Sequence, residues 1–570
     1  MIDFTIRIGG EAGTGLVTAT TLFSKLLQHS GYYIFSSKDY ASQIRGGHNY
    51  HSIRFSEKEV SADVDKVDLL IAFDQFSLDK HMGEVKKEGI IIVDEKLNLT
   101  SNDSYKVISI NISKIEEELK QNNLSNIVLF GSAAKCLGFS WDQCEKLINN
   151  YFSKKGNLLT VFNKASLAGY DQTESFYNFQ KELKNQGEMV TGNQAISLGA
   201  LKAGLTFHVQ YPMTPVTGIL HELSKEAVKN KELTVVQPED EIAAINMALG
   251  ASYTGARSMT ATSGGGFALM TESLSLAGMA EIPLVIVEGQ RPGPATGLPT
   301  KTEQGDLKFV VNAGHGDFPL AVIAPSTIED CYTETKRAFY LAEKYQLPAI
   351  VLIDKHLAES FKSTKLEVEE SKFTFDYNQK INVVATVETN QLNKDGLFKR
   401  YANKETNRTI PGTKDGIYTC TGDEHDDVGE ITEDPLIREN MVERRASKTK
   451  LLEKELPPPE LIGPNIAKLT VISWGSNFGA INEAIEKINK EKLQVNFLNL
   501  KYMLPFQKGE VKTLLSNSND LLLIENNSTG QLGQLIAENT GITIKNKFLK
   551  SNGNTFTMDE IHQEIKRWLS

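Results

Sequence analysis

Apolar and polar side chains alternate over Phe4-Thr5-Ile6-Arg7-Ile8, a glycine-rich run (GGEAGTG) follows, and from Leu16 to Gln28 apolar positions recur at helical spacing. The succession predicts a strand, a tight turn and a helix. Later runs such as LLIAFD and GIIIVDE alternate with helical patterns, as expected of a parallel sheet covered by helices on both faces. Residues 1–185 therefore read as one α/β domain. A polar stretch, YNFQKELKNQGEM, precedes a region rich in Gly and Ala, where ELTVVQ, RSMTATS, IPLVIVEGQ and PAIVLID read as buried strands of a second α/β domain over 186–362. Over 363–465 apolar content falls, charges and turn residues dominate, and a proline run (Pro457-Pro458-Pro459) closes the piece. That stretch reads as linker and surface excursion. LTVISWG, a helix from about Ala480 to Asn489, VNFLNL and LLLIENN then restore the pattern, giving a third, small α/β domain over 466–570.

A chain of 570 residues has room for several packed cores. Its net charge of -11 argues against nucleic acid or an anionic membrane as the main partner, because both reward clustered Lys and Arg. Small molecules and proteins remain. The first residues lack a basic segment followed by an apolar one, and no uninterrupted apolar run reaches bilayer-spanning length. A cytoplasmic location is expected. Cys136, Cys144, Cys331 and Cys420 form no C-x-x-C pair, so neither a disulfide framework nor an iron-sulfur or zinc site is expected on this chain.

Candidate chemistry gathers at strand ends. Gly9, Gly10, Gly13 and Gly15 lie between the first strand and helix, where backbone amides can cradle a phosphate. The spacing is not G-x-G-x-x-G, and the second strand (YYIFSS) ends in Ser36 and Ser37 where a dinucleotide site needs an acid. A tight βα turn is the simpler reading, with a phosphate-bearing ligand such as coenzyme A between the extremes. Arg45-Gly46-Gly47-His48 reads either as a cationic anion contact or as a solvated loop.

Tyr211-Pro212-Met213-Thr214-Pro215 follows the strand-like Phe207-His208-Val209. Its prolines forbid a helix and stiffen the backbone around Thr214, at the carboxyl end of a strand, where open α/β sheets bind ligands. Spacing alone favours a plain strand-end turn over a hydroxyl donor to a carboxylate or keto oxygen. Glu239-Asp240-Glu241 opens the run IAAINMALGASYTGA. Helix-dipole stabilisation accounts for two of these carboxylates; one buried on the apolar side gains proton affinity and acid-base use. ATSGGGFALMTESLSLA has Ala261 where a nucleophile elbow needs Gly two residues before Ser263, which excludes a hydrolase of that type and leaves a glycine turn past which a cofactor ring fits. GQRPGPATGLPTKTEQGDL is a long loop after the strand IPLVIVE and carries Arg291, Lys301 and Glu303. A guanidinium there either binds a substrate carboxylate bidentately or pairs with nearby acids. Metal is rejected for His48-x-x-His51, which lacks further ligands, and for Asp423-Glu424-His425-Asp426-Asp427, read as a solvated turn.

Together the Tyr-Pro-Met-Thr-Pro segment, Glu241 with its small-residue helix, the loop QRPGPATGLPTKTEQGDL, WGSNFGA and ENNSTGQLG resemble the alpha subunits of 2-oxoacid:ferredoxin oxidoreductases. The form resembled has a gamma domain fused at the N-terminus and is often assigned to 2-oxoglutarate. TGDEHDDVGE looks like the family's Gly-x-Glu-His stretch. The resemblance implies three α/β domains: a gamma-type domain, a thiamine-diphosphate pyrimidine-type domain with the keto-acid pocket, and a transketolase C-terminal-like domain. It implies Thr214, with Tyr211 beside it, as ligand of the keto-acid carboxylate or keto oxygen, and Arg291 as the arginine that fixes the carboxylate. Lys301 is the cation offered to a second carboxylate. Glu241, with Glu239 as the alternative, matches the glutamate that hydrogen-bonds the aminopyrimidine ring of thiamine diphosphate and promotes the imino form that removes the thiazolium C2 proton. Gly10, Gly13 and Gly15 belong to the loop implied to meet coenzyme A. Met213 stands where the family usually shows Ile, and Glu11-Ala12 where another Gly and a Gln are common.

Thiamine enzymes hold the diphosphate through magnesium on a Gly-Asp-Gly motif with a downstream Asn, and this chain contains no Gly-Asp-Gly. No metal is assigned to its own residues. The resemblance then implies a beta subunit carrying the diphosphate, Mg2+ and a 4Fe-4S cluster, ferredoxin as acceptor, and an alpha-beta or (alpha-beta)2 assembly. The implied reaction is coenzyme-A-dependent oxidative decarboxylation of 2-oxoglutarate to succinyl-CoA and CO2. Pyruvate or a branched-chain 2-oxoacid is the nearest rival. A non-redox transketolase-like enzyme requires the missing diphosphate motif in the same chain, and a nucleotide-binding regulator leaves the Thr214 and Arg291 loops unexplained.

Overall fold

A computed structural model of the chain describes residues 2–42, 47–99, 104–181, 183–184, 186–366, 383–402 and 407–570. They fold as two compact units, Met1–Val190 with Ser360–Lys365 and Phe556–Gln563, and Thr191–Glu359 with Leu366–Thr555 and Glu564–Ser570. Among the described residues no helix is long and apolar enough to cross a membrane.

The first unit is built on an eight-stranded sheet in the order Tyr105–Ile110, Val85–Asp94, Val67–Ala72, Asp3–Glu11, His48–Ser56, Tyr33–Asp39, Phe361–Thr364, Glu188–Thr191. The first four strands are parallel to one another. Asp3–Glu11 then pairs antiparallel with His48–Ser56, which pairs antiparallel with Tyr33–Asp39. The sheet is thus mixed, a correction to the all-parallel expectation: the connection between Tyr33–Asp39 and His48–Ser56 is too short for a crossover helix, so the second strand must return antiparallel. Phe361–Thr364 joins the edge of this sheet by pairing with Tyr33–Asp39, although its sequence neighbours belong to the second unit. The core is closed by Leu16–His29 and Ser125–Cys136, where Phe23 and Phe130 meet with ring centroids 4.9 Å apart.

The second unit holds two sheets. One has seven strands in the order Tyr502–Leu504, Ala321–Ile323, Pro348–Asp354, Leu284–Gln290, Ser258–Thr262, Phe207–Val209, Thr234–Val236. All run parallel except Tyr502–Leu504, which pairs antiparallel with Ala321–Ile323. The other has five strands, Glu460–Ile462, Val495–Asn499, Leu469–Ser473, Asp520–Glu525 and Asn546–Leu549, parallel except at the Glu460–Ile462 edge. One continuous apolar core joins Leu284, Val322 and Ile350 to Trp474, Leu498, Met503 and Leu523. Residues 466–555 therefore share both a core and a sheet with the segment that carries the substrate-loop motifs.

The stretch read as linker and surface excursion is tied down where it is described. Phe398, Tyr401, Arg400 and Arg408 are buried, and Pro435–Glu455 is a helix whose Arg444, Arg445 and Lys448 are buried. Arg444 and Lys448 both pair with Glu281, which is fully buried in a left-handed backbone conformation. Arg400 donates to the Glu281 carbonyl at 3.1 Å, and Arg408 pairs with Glu343 at 3.1 Å. Low apolar content misled because these cations are partnered: a buried charge is tolerated when an opposite charge and hydrogen bonds replace its water. The acidic run at 423–427 is likewise not a solvated turn. Glu424 accepts both Arg445 donors at 2.8 and 2.9 Å and also pairs with Arg438, while His425 is fully buried.

Candidate active site

Phe207–Val209 ends at Tyr211-Pro212-Met213-Thr214-Pro215, all half-buried except the last, which is buried. Three successive carbonyls after Met213 each receive a side-chain donor. Arg291 donates through Nη1 to the Thr214 oxygen at 3.0 Å, Asn193 Nδ2 to Pro215 at 2.9 Å and Gln210 Nε2 to Val216 at 3.0 Å. Each bond to the backbone contributes on the order of 1 kcal/mol, and the charged one more. The turn is thereby held rigid from three directions, and Thr214 and Arg291 are brought together, as the sequence proposed of two distant motifs. Burial pulls the Arg291 guanidinium below its usual range, opposed by Asp306 and Glu288.

Glu241 opens the helix Glu241–Tyr253, whose N-cap Asp240 accepts from the Ala243 amide at 2.8 Å. The cap role thus falls to Asp240. Glu239 is exposed, whereas Glu241 is 4 % exposed and its Oε1 is buried with no hydrogen-bond partner among the described residues. That oxygen lies against the next helix, Gly264–Met279: a Cβ built on Gly266 would stand 2.1 Å from Thr262 Oγ1 and 2.7 Å from Glu241 Oε1. On the preceding turn, a Cβ on Gly264 would stand 2.4 Å from Asp306 Oδ2. The glycine turn therefore admits two carboxyl groups at different positions, Asp306 at Gly264 and Glu241 at Gly266, and Asp306 reaches the carboxyl of Glu288 in the strand Leu284–Gln290. Gly266→Ala is expected to displace Glu241 and lower turnover at least tenfold, about 1.4 kcal/mol of transition-state stabilisation, with the protein still folded. Steady-state rates beside a melting curve check it.

The loop 291–306 is clasped by the two C-terminal motifs. Gln304 Nε2 donates to the Trp474 carbonyl at 2.9 Å, and its Oε1 accepts from Asn477 Nδ2 at 2.8 Å and the Asn526 amide at 3.0 Å. Asn527 Nδ2 donates to the Gln304 carbonyl at 2.9 Å, and Gln531 Nε2 to Gly305 at 2.6 Å. Beneath them Glu525, fully buried, accepts from Trp474 Nε1 at 3.1 Å, Asn527 Nδ2 at 2.8 Å and the Leu532 amide at 2.9 Å. Burial nonetheless pushes its carboxyl up to about 7. WGSNFGA and ENNSTGQLG are thus the mount of the Arg291 loop. Lys301 lies beside Gly553, its Cβ 3.0 Å from one built on that glycine, and the Thr302 amide donates to the Gly553 carbonyl at 3.1 Å.

In the first unit, Gly9 and Gly10 belong to the strand Asp3–Glu11, opposite Tyr50 and Asn49, so the turn itself holds only Gly13 and Gly15 of the four. Both have positive φ, and Gly15 is the N-cap of Leu16–His29, with no side-chain cap. A Cβ on Gly13 would meet nothing within 4 Å, whereas one on Gly15 would overlap Asn126. Of the Arg45-Gly46-Gly47-His48 stretch, residues 45 and 46 lie outside the described residues. His48 Nε2 hydrogen-bonds His81 Nε2 at 2.8 Å, and burial first, then Lys80 and His81, bring His48 down to about 4. His48 is therefore a neutral member of a side-chain chain, His48–His81–Glu84–Arg7, and offers no cation.

Glu288, Asp306, Gln304, Asn193 and Gln210 escaped the sequence reading. Gln304 and Asp306 sit inside the loop already singled out. Glu288 carried a usable signal, an acid within the otherwise apolar strand VIVEG, since unpaired buried carboxylates are rare outside sites.

Family models match three stretches: residues 5–172, "Pyruvate ferredoxin/flavodoxin oxidoreductase"; residues 198–440, "Pyruvate flavodoxin/ferredoxin oxidoreductase, thiamine diP-bdg"; and residues 467–561, "Pyruvate:ferredoxin oxidoreductase core domain II". A 2-oxoacid:ferredoxin oxidoreductase subunit alpha from Sulfolobus is 32% identical over 98% of this chain and 96% of its own length. The 2-oxoglutarate oxidoreductase subunit KorA of Mycobacterium tuberculosis is 28% identical over 99% of this chain and 91% of its own. Among solved structures, the 2-oxoglutarate:ferredoxin oxidoreductase of Magnetococcus marinus, with 2-oxoglutarate, coenzyme A and succinyl-CoA bound, superposes with a TM-score of 0.90 at 29% identity, covering 100% of both chains.

Proposed function

The chain belongs to the alpha subunits of the 2-oxoacid:ferredoxin oxidoreductases, and from that premise we propose that it supplies the keto-acid pocket and the aminopyrimidine half of a thiamine diphosphate site in an enzyme that oxidises 2-oxoglutarate. The observation that carries the cofactor reading is Glu241 Oε1, buried without a partner beside a glycine that leaves it room. An orphaned carboxylate oxygen in an interior is costly unless a ligand completes it, and a protonated ring nitrogen is such a ligand. The fit is to one end of the cofactor only. Without a Gly-Asp-Gly in the sequence, diphosphate and Mg2+ fall to a beta subunit, which also takes the 4Fe-4S cluster and passes electrons to ferredoxin. The names of the Mycobacterium and Magnetococcus relatives support 2-oxoglutarate as substrate, with coenzyme A as acyl acceptor.

Thiamine diphosphate, when bound, supplies a nucleophilic carbon and an electron sink for decarboxylation. Glu241 holds a proton against the ring nitrogen, and its burial keeps water from competing for that bond. Thr214 offers a hydroxyl on a backbone fixed by Arg291, Asn193 and Gln210, and Arg291, already tied to Thr214 through Nη1, has further N–H donors for a carboxylate. Substrate carboxylate and keto oxygen are thus oriented before reaction, which is where positioning lowers the barrier. The balance is a 2-oxoacid and coenzyme A giving acyl-CoA, CO2, a proton and two electrons to ferredoxin.

Co-expression with the beta subunit, followed by coenzyme-A-dependent reduction of a viologen dye over a panel of 2-oxoacids, tests the reading. Highest kcat/KM with 2-oxoglutarate is expected; activity confined to pyruvate or branched 2-oxoacids moves the substrate, and none with any keto acid ends the proposal. Arg291→Lys keeps the charge but loses the planar fork, and is expected to raise KM about 10- to 100-fold with a smaller change in kcat.

A further inference from the structure

Three residues before Arg291, Glu288 stands in the strand Leu284–Gln290, opposite Thr262 on one neighbouring strand and Leu352 on the other. It is fully buried, and among the described residues neither carboxyl oxygen receives a hydrogen bond from a protein donor. Its side-chain hydrogen-bond neighbour is another carboxyl, Asp306. Two carboxyl groups make that bond only with a proton between them, and two like charges so close in a buried site do not both ionise. Burial says which of them keeps the proton: Glu288 is fully buried with no donor to its oxygens among the described residues, whereas Asp306 is half-buried. Asp306 is held in place by its amide, which donates to Gln290 Oε1 at 3.0 Å, and by the glycine turn at Gly264. Burial pushes the Asp306 carboxyl up, but the Glu288 hydrogen bond and Arg291 pull it down, whereas burial and Asp306 hold Glu288 well above the usual carboxylate range against the pull of Arg291.

We propose that Glu288 is a positioning residue for the keto-acid pocket: it keeps its proton and donates it to Asp306, so that one negative charge, not two, stands behind Arg291. The inference rests on Arg291 as the carboxylate ligand. With a single negative charge in the pair, Arg291 is balanced and anchored and still attracts an incoming oxoacid; with two, its surroundings become net negative and repel that anion. Among the described residues, the charged groups that act on Glu288 are Asp306 and Arg291. Arg291 is thus the single cation there, and it is shared with Asp306. A protonated carboxyl is also a stronger donor to a carboxylate than a neutral amide or alcohol, which is a reason for an acid at this place.

The test uses the assembled alpha-beta enzyme. Infrared spectra at neutral pH, wild type minus Glu288→Gln, are expected to contain the carbonyl stretch of a protonated carboxyl that moves in D2O; a difference holding only carboxylate bands overturns the proposal. In kinetics, Glu288→Leu removes the donor at similar volume and is expected to raise the KM for the 2-oxoacid about fivefold or more with a smaller change in kcat, while Glu288→Gln, an uncharged donor, restores it to within about twofold. Equal KM values in the two variants overturn it. Should the Leu variant fail to fold, the infrared comparison decides. An unchanged KM in Arg291→Lys would instead remove the carboxylate reading of the pocket while leaving the infrared band in place, so the two failures are distinguishable.

Discussion

Glu241→Gln is expected to cut coenzyme-A-dependent dye reduction by about 10²- to 10⁴-fold, the range over which a positioned acid-base group acts, while the alpha-beta assembly and its melting transition stay intact. The substitution is nearly isosteric and leaves the Asp240 cap on the Ala243 amide in place, so the helix start has no reason to move. What changes is Glu241 Oε1, a buried oxygen without a partner among the described residues. As an amide, the side chain no longer carries the charge that holds a proton at a ring nitrogen, and it places either a donor or a weaker acceptor there. Glu239→Gln is the control: Glu239 is exposed and its replacement should leave the rate within about twofold, as surface changes generally do. Full activity in Glu241→Gln would sink the cofactor reading; a loss in Glu239→Gln alone would transfer the role to that residue.

Much of this arrangement was legible in the chain because rigid local chemistry leaves a mark. Prolines on either side of Thr214, a glycine triplet before a helix and a Gly/Pro-rich loop after a buried strand each constrain backbone directly, and the structure finds them around one strand-end cluster. Two kinds of feature were not legible. The first is long-range partnership: Gln304 lies 170 residues from Trp474 and 222 from Asn526, and nothing in a polar loop says which carbonyl its amide will meet. The second is compensated charge. Hydropathy counts Arg444, Lys448 and Arg400 as surface residues, yet all three are buried around Glu281. A pattern read from transfer energies of isolated residues cannot see a partner that arrives from more than a hundred positions away. The mixed sheet of the first unit was missed for a related reason, since apolar runs predict burial but not strand direction.

Glu281→Gln is expected to lower the melting transition by on the order of 10 °C, from a loss of about 3–5 kcal/mol for breaking a buried ion cluster on one side. Glu281 lies two residues beyond the end, at Met279, of the helix that starts at the glycine turn of the site, so the clamp from the helix Pro435–Glu455 fixes the far end of the element against which Glu241 and Asp306 rest. Removing the charge leaves Arg444 and Lys448 buried and uncompensated. Replacing the cluster by apolar residues of similar size, Glu281→Leu with Arg444→Met and Lys448→Met, should recover most of the loss, because no charge is then stranded. The pH dependence has a definite sign. Burial alone would raise the Glu281 carboxyl, but Lys448, Arg444 and Arg400 outweigh it and hold it well below the usual carboxylate range. Its contribution is therefore present in full above the unfolded value of about 4.3 and declines as pH falls below that toward the folded one. The gap between wild type and Glu281→Gln in thermal unfolding should narrow below about pH 4. A gap that stays the same down to pH 3, or a variant melting with the wild type, would show that the cluster does not hold this helix through charge.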